Sequence, residues 1–133
     1  EAKFIITGNN RDVNRYKWNL KNLTNKLKNN KTKQNIFYKN ITYLLNIRRK
    51  QKAFHPNASR LNLNFGTKIY GFKRISIDKK QSILCITNLS SKIQKAQLNK
   101  AYYIWNNLIG PKVEIKNKFL ILKPFETIWL SNK

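Results

Sequence analysis

The stretch RLNLNFGTKIYGFKRISIDKKQSILCITNL, residues 60–89, decides the fold through the spacing of its apolar residues. Leu61, Leu63 and Phe65 alternate with polar neighbours, and residues 68–77 continue a strand-like pattern. The segment DKKQ, residues 78–81, has the composition of a turn. Residues 82–89 are nearly all apolar, which predicts a central strand. The stretch therefore predicts consecutive antiparallel strands joined by short connections.

The residues that follow extend this sheet with short strands. Residues 92–98 predict a weaker amphipathic strand, and residues 101–110 fit either a short helix or a loop ending at Gly110-Pro111. The segment VEIKNKFLILKPFETIWL, residues 113–130, predicts a hairpin that turns at Asn117-Lys118, with a last strand from Phe125 to Leu130. Residues from about 57 to the end therefore predict an antiparallel β-sheet module.

The residues before the sheet have helical rather than alternating patterns. Residues 1–18 carry no sustained period and predict a loop. Asn19 is suited to cap a short helix over residues 20–28. Residues 35–53 predict the longest helix, with Pro56 preventing its continuation. Its apolar stripe consists of Ile36, Phe37, Ile41, Leu44 and Leu45, and this stripe requires a packing partner.

Composition restricts the classes of function. The 133 residues suffice for one domain, and no apolar run approaches the length of a membrane span. Cys85 lies in an apolar run, which predicts a buried, unreactive thiol and a reducing, cytoplasmic compartment. The single histidine, His55, and the scattered acids predict no metal centre and no nucleophile–base pair. We expect no cofactor.

The net charge of +23 makes nucleic acid the first partner to consider. The chain has 22 Lys and only 6 Arg, together with 20 Asn and 16 Ile. Residues encoded by A/T-rich codons are thus in excess, and the lysines are spread along the whole chain. Proteins that recognise specific nucleic-acid sequences favour arginine for contacts with bases. We therefore expect weak, salt-sensitive binding of polyanions and no specific nucleic-acid partner, while a small basic nucleic-acid-binding protein stays as an alternative.

The acidic residues do not predict a catalytic pair within this chain. Two carboxylates that cleave a glycosidic bond must flank it, about 5–9.5 Å apart. Asp12 lies in the N-terminal loop, Asp78 and Glu114 lie at apparent turns, and Glu126 lies in the last predicted strand. Nothing in their spacing brings two of them together.

The N-terminal loop contains the segment TGNNRDVNRYKW, residues 7–18, with two arginines in a polar setting. An arginine offers five planar donors that suit hydroxyl or phosphate oxygens. Asp12 could orient Arg11 or Arg15, or accept a hydrogen bond from a sugar hydroxyl. The loop therefore fits either a substrate-binding role or a structural Arg–Asp pair.

Four segments together resemble the C-terminal part of sucrose-phosphorylase-like enzymes of the α-amylase superfamily, glycoside hydrolase family 13. They are TGNNRDVNRYKW, LLNIRRKQKAFHPNA, QSILCITNLS and LKPFETIWL, in that order. The details of AFHPNA and of GFKRISIDKKQSILCITNLS are especially similar to the glucosylglycerate phosphorylase branch. The resemblance extends over essentially the whole chain.

The resemblance implies an α+β fragment. Residues 1–56 would be the end of a catalytic (β/α)8 barrel, comprising the loop after the eighth strand and the last helices. Residues 57–133 would be the C-terminal antiparallel β-sheet domain. The family's RDxNR arginine, which hydrogen-bonds the glucosyl group, corresponds to Arg11, and Val13 replaces the usual Ile. The family's catalytic carboxylates lie on earlier barrel strands, so no catalytic residue is assigned in this chain.

The implied reaction is retaining α-glucosyl transfer from sucrose or glucosylglycerate to phosphate, without metal or organic cofactor. We expect the chain to be inactive by itself, with the missing barrel segment as its structural partner. A hydrolase or transglucosidase of the same superfamily is the alternative parent, because the choice between phosphate and water as acceptor depends on loops outside this chain.

Overall fold

Two α-helices precede a series of short β-strands in the part of the chain that the structure, a computed structural model, describes: residue 8 and residues 17–133. The helices are α1 (Leu20–Lys28) and α2 (Lys33–Arg49), and single 3-10 turns occupy Lys52–Phe54 and Lys100–Tyr102. The strands are β1 (Ser59–Asn64), β2 (Ile69–Ile75), β3 (Ser82–Asn88), β4 (Gln94–Gln97), β5 (Asn106–Asn107), β6 (Ile115–Lys116), β7 (Phe119–Leu122) and β8 (Thr127–Ser131). Contacts divide the chain into two compact units, residues 1–42 and residues 43–133.

The N-terminus of α1 is capped as its sequence predicts. The Asn19 side chain accepts a hydrogen bond from the Asn22 amide at 3.2 Å, which satisfies one of the free amides of the first turn. After α1, the hydroxyl of Thr32 donates to the Asn29 carbonyl at 2.9 Å and accepts from the Asn35 amide at 3.2 Å. Thr32 therefore closes the turn and caps α2 at the same time.

The bounds of α2 differ from the predicted helix of residues 35–53. The helix begins at Lys33 because Thr32, rather than a later asparagine, supplies the cap. It ends at Arg49 because the Ala53 amide donates to the Gln81 side chain at 3.0 Å instead of to a carbonyl of the helix. A hydrogen bond to Gln81, in the connection before β3, thus replaces the last turn that the pattern predicts.

The apolar stripe of α2 lies largely on the surface. The side chains of Phe37, Ile41 and Leu45 are exposed by 68%, 40% and 50%, and Leu44 is half-buried. Ile36, Tyr38 and Tyr43 are exposed as well, so the apolar side chains occupy more than one side of the helix. A helix of this composition is usually covered by other elements.

The strands of residues 59–131 form two antiparallel sheets. One has the strand order β1-β2-β3-β8-β5, and the other has the order β4-β7-β6. Strand β3 lies in the middle of the larger sheet, paired with β2 on one side and β8 on the other, which confirms the prediction of a central strand. The predicted change from helices to antiparallel strands is therefore correct in order and in type.

The apolar residues of β3 belong to two clusters of buried residues. Leu84 and Ile86 belong to the main core, which they form with residues of both sheets, including Leu120 and Leu130. Ile83 and Cys85 point to the opposite face, where they pack with Ala53. Because both faces of β3 are covered, its sequence has no polar alternation.

The hairpin of β6 and β7 turns at Asn117-Lys118, as its sequence predicts. Both residues have positive φ, 50° and 73°, and two such residues in a two-residue loop match the twist of the flanking strands. The predicted strand of residues 92–98 is shorter, Gln94–Gln97. Residues 101–110 contain both the end of a 3-10 turn and the short strand β5.

Candidate functional site

The predicted substrate-binding residue, Arg11, lies outside the described residues, as do Asp12, Val13 and Arg15. Its role therefore stays a prediction. The described residues contain the other predicted positions, and they show which of these positions the fold brings together.

Two acidic residues line the same cavity, and each has its own local partner. Glu114 and Glu126 both line a cavity of about 250 Å³ between the segment before β6 and the start of β8. Glu126 precedes the last strand instead of lying in it, and its Oε2 accepts from the Lys123 amide at 2.7 Å. Glu114 pairs with Lys116 at 2.8 Å on the surface. Both carboxylates therefore have local partners that position them in turns.

Asp78 organises the turn between β2 and β3. Its Oδ1 accepts hydrogen bonds from the Ser76 hydroxyl at 2.6 Å and from the Lys80 amide at 3.1 Å. These two bonds, with a smaller contribution from Lys52 at 3.3 Å, lower the pKa of Asp78 to about 2. The carboxylate is thus charged over the whole physiological range and acts as a fixed acceptor.

We expect Asp78 to make the chain sensitive to acid. A folded pKa of about 2, below the ordinary value of 3.8, means that its contribution to stability is present above pH 4 and is lost as the pH falls toward 2. Asp78→Asn keeps an acceptor oxygen but does not titrate. The difference in urea midpoint between the wild type and this variant should therefore shrink from pH 5 to pH 2. Glu114→Gln is the control, and an equal change in both variants would contradict the assignment.

The segment at residues 51–55, which follows α2, is held on the larger sheet by two side chains. Arg74 on β2 donates to the Ala53 carbonyl at 3.1 Å through Nε and to the His55 carbonyl at 2.6 Å through a terminal nitrogen. Gln81 is buried, accepts from the Ala53 amide at 3.0 Å and donates to the Gln51 side chain at 2.7 Å. Arg74 and Gln81 therefore satisfy the amide and carbonyl of Ala53 and the carbonyl of His55.

This contact, which we call the joint, brings together two segments that the resemblance rests on. AFHPNA contributes the backbone at Ala53 and His55, and GFKRISIDKKQ contributes Arg74 and Gln81. Phe54 adds an aromatic contact, with its ring centroid 4.9 Å from that of Trp129 on β8. Sequence reasoning did not assign a role to Arg74 or Gln81, because their partners are backbone atoms that leave no trace in residue type.

Replacement of Arg74 is expected to loosen the joint. Arg74→Ala removes two hydrogen bonds from a charged donor and leaves two carbonyls with fewer partners, which should lower the free energy of unfolding by about 2 kcal/mol. Hydrogen exchange at residues 52–58 should increase by more than it does in β7. Arg60→Ala is the matched control, since Arg60 lies opposite Arg74 on β1 and bonds to Tyr70. Equal exchange in the two variants would contradict the role of Arg74.

The surroundings of Cys85 and His55 fit structural roles for both side chains. Burial raises the pKa of the Cys85 thiol to about 12, against a smaller opposing effect of Arg74, so the thiol stays protonated and unreactive. His55 is exposed, and its Nδ1 accepts from the Asn57 amide at 3.2 Å. The predicted burial of Cys85 is confirmed.

Within the described ranges, no group of three His, Cys, Asp or Glu side chains could hold a metal ion. No helix of these ranges is long and apolar enough to cross a membrane.

One known protein is similar to the chain over most of the chain's length. No model of a protein family matches it. It is 25% identical over 126 residues to glucosylglycerate phosphorylase of Escherichia coli (strain K12), a match that covers 92% of this chain and 21% of the relative. The predicted resemblance to glucosylglycerate phosphorylase is confirmed. The chain spans about a fifth of the length of this relative.

Two solved enzyme structures share the fold of the chain. An α-glucosyl transfer enzyme, XgtA, is 18% identical with a TM-score of 0.57, over 71% of this chain and 17% of that one. MutB in complex with isomaltulose is also 18% identical, with a TM-score of 0.59, over 81% of this chain and 19% of that one. The helices and antiparallel sheets correspond to the C-terminal domain of such enzymes.

Proposed function

We propose that the chain is the C-terminal part of a retaining α-glucoside phosphorylase, which transfers glucose from sucrose or glucosylglycerate to phosphate. The similarity to glucosylglycerate phosphorylase over 92% of the chain carries this proposal. Residues 1–56 would form the end of a (β/α)8 barrel, and residues 57–133 would form the C-terminal β-sheet domain.

The exposed apolar side chains of α2 support the proposal that this helix packs on a barrel. Phe37, Ile41 and Leu45 are exposed and apolar, and the last helix of a barrel packs such a face on the barrel wall. The joint would then attach the segment after this helix to the β-sheet domain, through the hydrogen bonds of Arg74 to Ala53 and His55. The preceding barrel segment is accordingly the structural partner that we assign to the chain.

The proposed reaction has two displacements at the anomeric carbon. A carboxylate of the barrel attacks this carbon, and the bond to the oxygen of the leaving group breaks as that oxygen takes a proton from a general acid. A phosphate oxygen then displaces the carboxylate and gives α-glucose 1-phosphate with net retention. Arg11 would donate hydrogen bonds to the glucosyl group beside the scissile bond. The three carboxylates of the described residues form local contacts, so the chain alone is proposed to be inactive.

The compartment and the remaining partners follow from the same reasoning. A single buried thiol suits a reducing cytoplasm. Because the lysines are spread along the whole chain and outnumber the arginines, we propose that polyanion binding is weak and sensitive to salt.

The proposal is tested by joining residues 1–133 to the first four fifths of the E. coli relative in place of its own C-terminal fifth. We expect no phosphorolysis by the chain alone, and phosphate-dependent release of α-glucose 1-phosphate from glucosylglycerate or sucrose by the joined protein. Release of free glucose without phosphate would instead favour the hydrolase, and transfer to a second sugar would favour the transglucosidase. A folded joined protein without glucosyl transfer of any kind would contradict the proposal.

A further inference from the structure

A groove of about 570 Å³ lies between the β1–β2 turn and the outer face of the smaller sheet. Gln97 on β4 and Phe119 on β7 are direct cross-strand partners on this face. Lys95 lies two residues before Gln97 on the same face, and the side chains of Lys95 and Gln97 are exposed. The groove is therefore an open surface with an aromatic ring, an amide and an ammonium group close together.

The walls of the groove are amides whose orientation is set by the backbone. Asn64 accepts from the Gly66 amide at 2.9 Å, and Asn99 accepts from the Ala101 amide at 3.0 Å. Each bond occupies the side-chain oxygen and leaves the NH2 group as a donor. Among the described residues, neither NH2 group has a hydrogen-bond acceptor, and neither does the side chain of Gln97.

The ring of Phe65 completes the groove at the β1–β2 turn. It lies against Gly71, where a Cβ atom would collide with the ring, and it packs on the main core. Glycine at this position therefore leaves room for the ring against the sheet. Phe119, exposed by 37%, offers a second ring surface.

The chemistry of the groove selects a class of ligand. Its lining contains three amide NH2 groups and one ammonium group but no carboxylate, so the ligand must be rich in acceptor oxygens. Lys95 favours a negative charge on it, and the aromatic rings favour an apolar ring face. A pyranose with an anionic substituent meets all three conditions, whereas a bare anion would not use the aromatic rings.

We infer that this groove binds an anionic sugar, a pyranose that carries a phosphate or a carboxylate. The inference rests on the proposed function in one respect only: α-glucose 1-phosphate and glucosylglycerate are the anionic sugars of that reaction. The site is separate from Arg11 in sequence, because its seven lining residues all lie between positions 64 and 119. It would retain such a sugar on the β-sheet domain.

Titration of the isotope-labelled full chain, followed by amide chemical shifts at about 0.15 M ionic strength, tests the inference. The probes are α-glucose 1-phosphate, glucosylglycerate, sucrose and inorganic phosphate. We expect both anionic sugars to bind at least 10-fold more tightly than sucrose and inorganic phosphate, with the largest shifts at residues 95–99 and 119. Equal affinity for inorganic phosphate and α-glucose 1-phosphate would overturn the inference, and so would equal affinity for sucrose.

Matched variants distinguish binding in the groove from a general effect of the positive net charge. Lys95→Ala and Phe119→Ala should each weaken the binding of α-glucose 1-phosphate by at least 5-fold. Lys80→Ala and Phe125→Ala, at exposed positions outside the groove, should change it by less than 2-fold. Equal losses in Lys80→Ala and Lys95→Ala would reduce the effect to net charge and overturn the inference. This titration requires no catalysis, so a failure of glucosyl transfer in the joined protein and a failure of binding in the groove are separate results.

Discussion

Replacing Arg11 by alanine is expected to lower kcat/KM for phosphorolysis by about 100-fold or more in the protein that joins this chain to the first four fifths of the E. coli relative. The loss of a positioned donor beside the reacting centre typically reduces the rate by two to three orders of magnitude. The glucosyl ring distorts as the bond breaks, so hydrogen bonds from Arg11 should strengthen in the transition state. The effect should therefore appear mainly in kcat, with a smaller change in KM.

Arg15→Ala is the matched control for Arg11→Ala. It removes the same side chain from the same loop, and the resemblance assigns it no direct contact with the substrate. We expect Arg15→Ala to change kcat/KM by less than about 10-fold. Arg11→Lys keeps the charge but loses the planar pair of donors, so it should recover only part of the lost rate. Similar rates for wild type and Arg11→Ala would show that Arg11 does not contact the sugar.

The sequence predicted those features of the fold that depend on neighbours along the chain. The alternation of Leu61, Leu63 and Phe65 is local, and so is the two-residue turn at Asn117-Lys118, where both φ angles are positive. The Asn19 cap depends on the amide of Asn22, three residues later. Each of these signals lies within one turn or strand, where residue type alone determines the preferred backbone.

Features that depend on distant residues were not predictable. The end of α2 is decided by Gln81, which takes the amide of Ala53, 28 residues away. The joint depends on Arg74, whose partners are carbonyl groups that every residue has. Glu114 and Glu126 line the same cavity because two separate segments approach each other. Spacing along the chain carries no information on such contacts, because they are set by the register and packing of the two sheets.

The groove on the smaller sheet was missed for a related reason. Asn64, Gln97 and Phe119 belong to three separate strands, and Asn64 is one of 20 asparagines in the chain. Two facts give the groove its character: Gln97 pairs with Phe119 across the sheet, and backbone amides occupy the oxygens of the two asparagines. Both are properties of the fold, and neither could be read from residue type.

The largest loss of stability is expected from Asn88, at the end of β3. Its side chain is almost completely buried, and its Nδ2 donates to the carbonyls of Lys92 and Lys123 at 2.7 and 2.8 Å. Its Oδ1 accepts from the amide and the hydroxyl of Ser90 at 2.9 and 2.8 Å. One amide thus holds the connection that leads from the larger sheet to the smaller one.

Asn88→Ala should lower the free energy of unfolding by about 3 kcal/mol, because it removes these bonds and leaves buried polar groups without partners. A loss of this size is a large share of the 5–15 kcal/mol of a typical domain and corresponds to a fall in Tm of about 10 °C. Asn88→Asp keeps the acceptor but places a negative charge against two carbonyls, so it should destabilise the chain at least as much. Asn106→Ala, at an exposed position, should change stability by less than about 0.5 kcal/mol. A loss below 1 kcal/mol in Asn88→Ala, measured by urea unfolding, would mean that water replaces the side chain and that the two sheets do not depend on this amide.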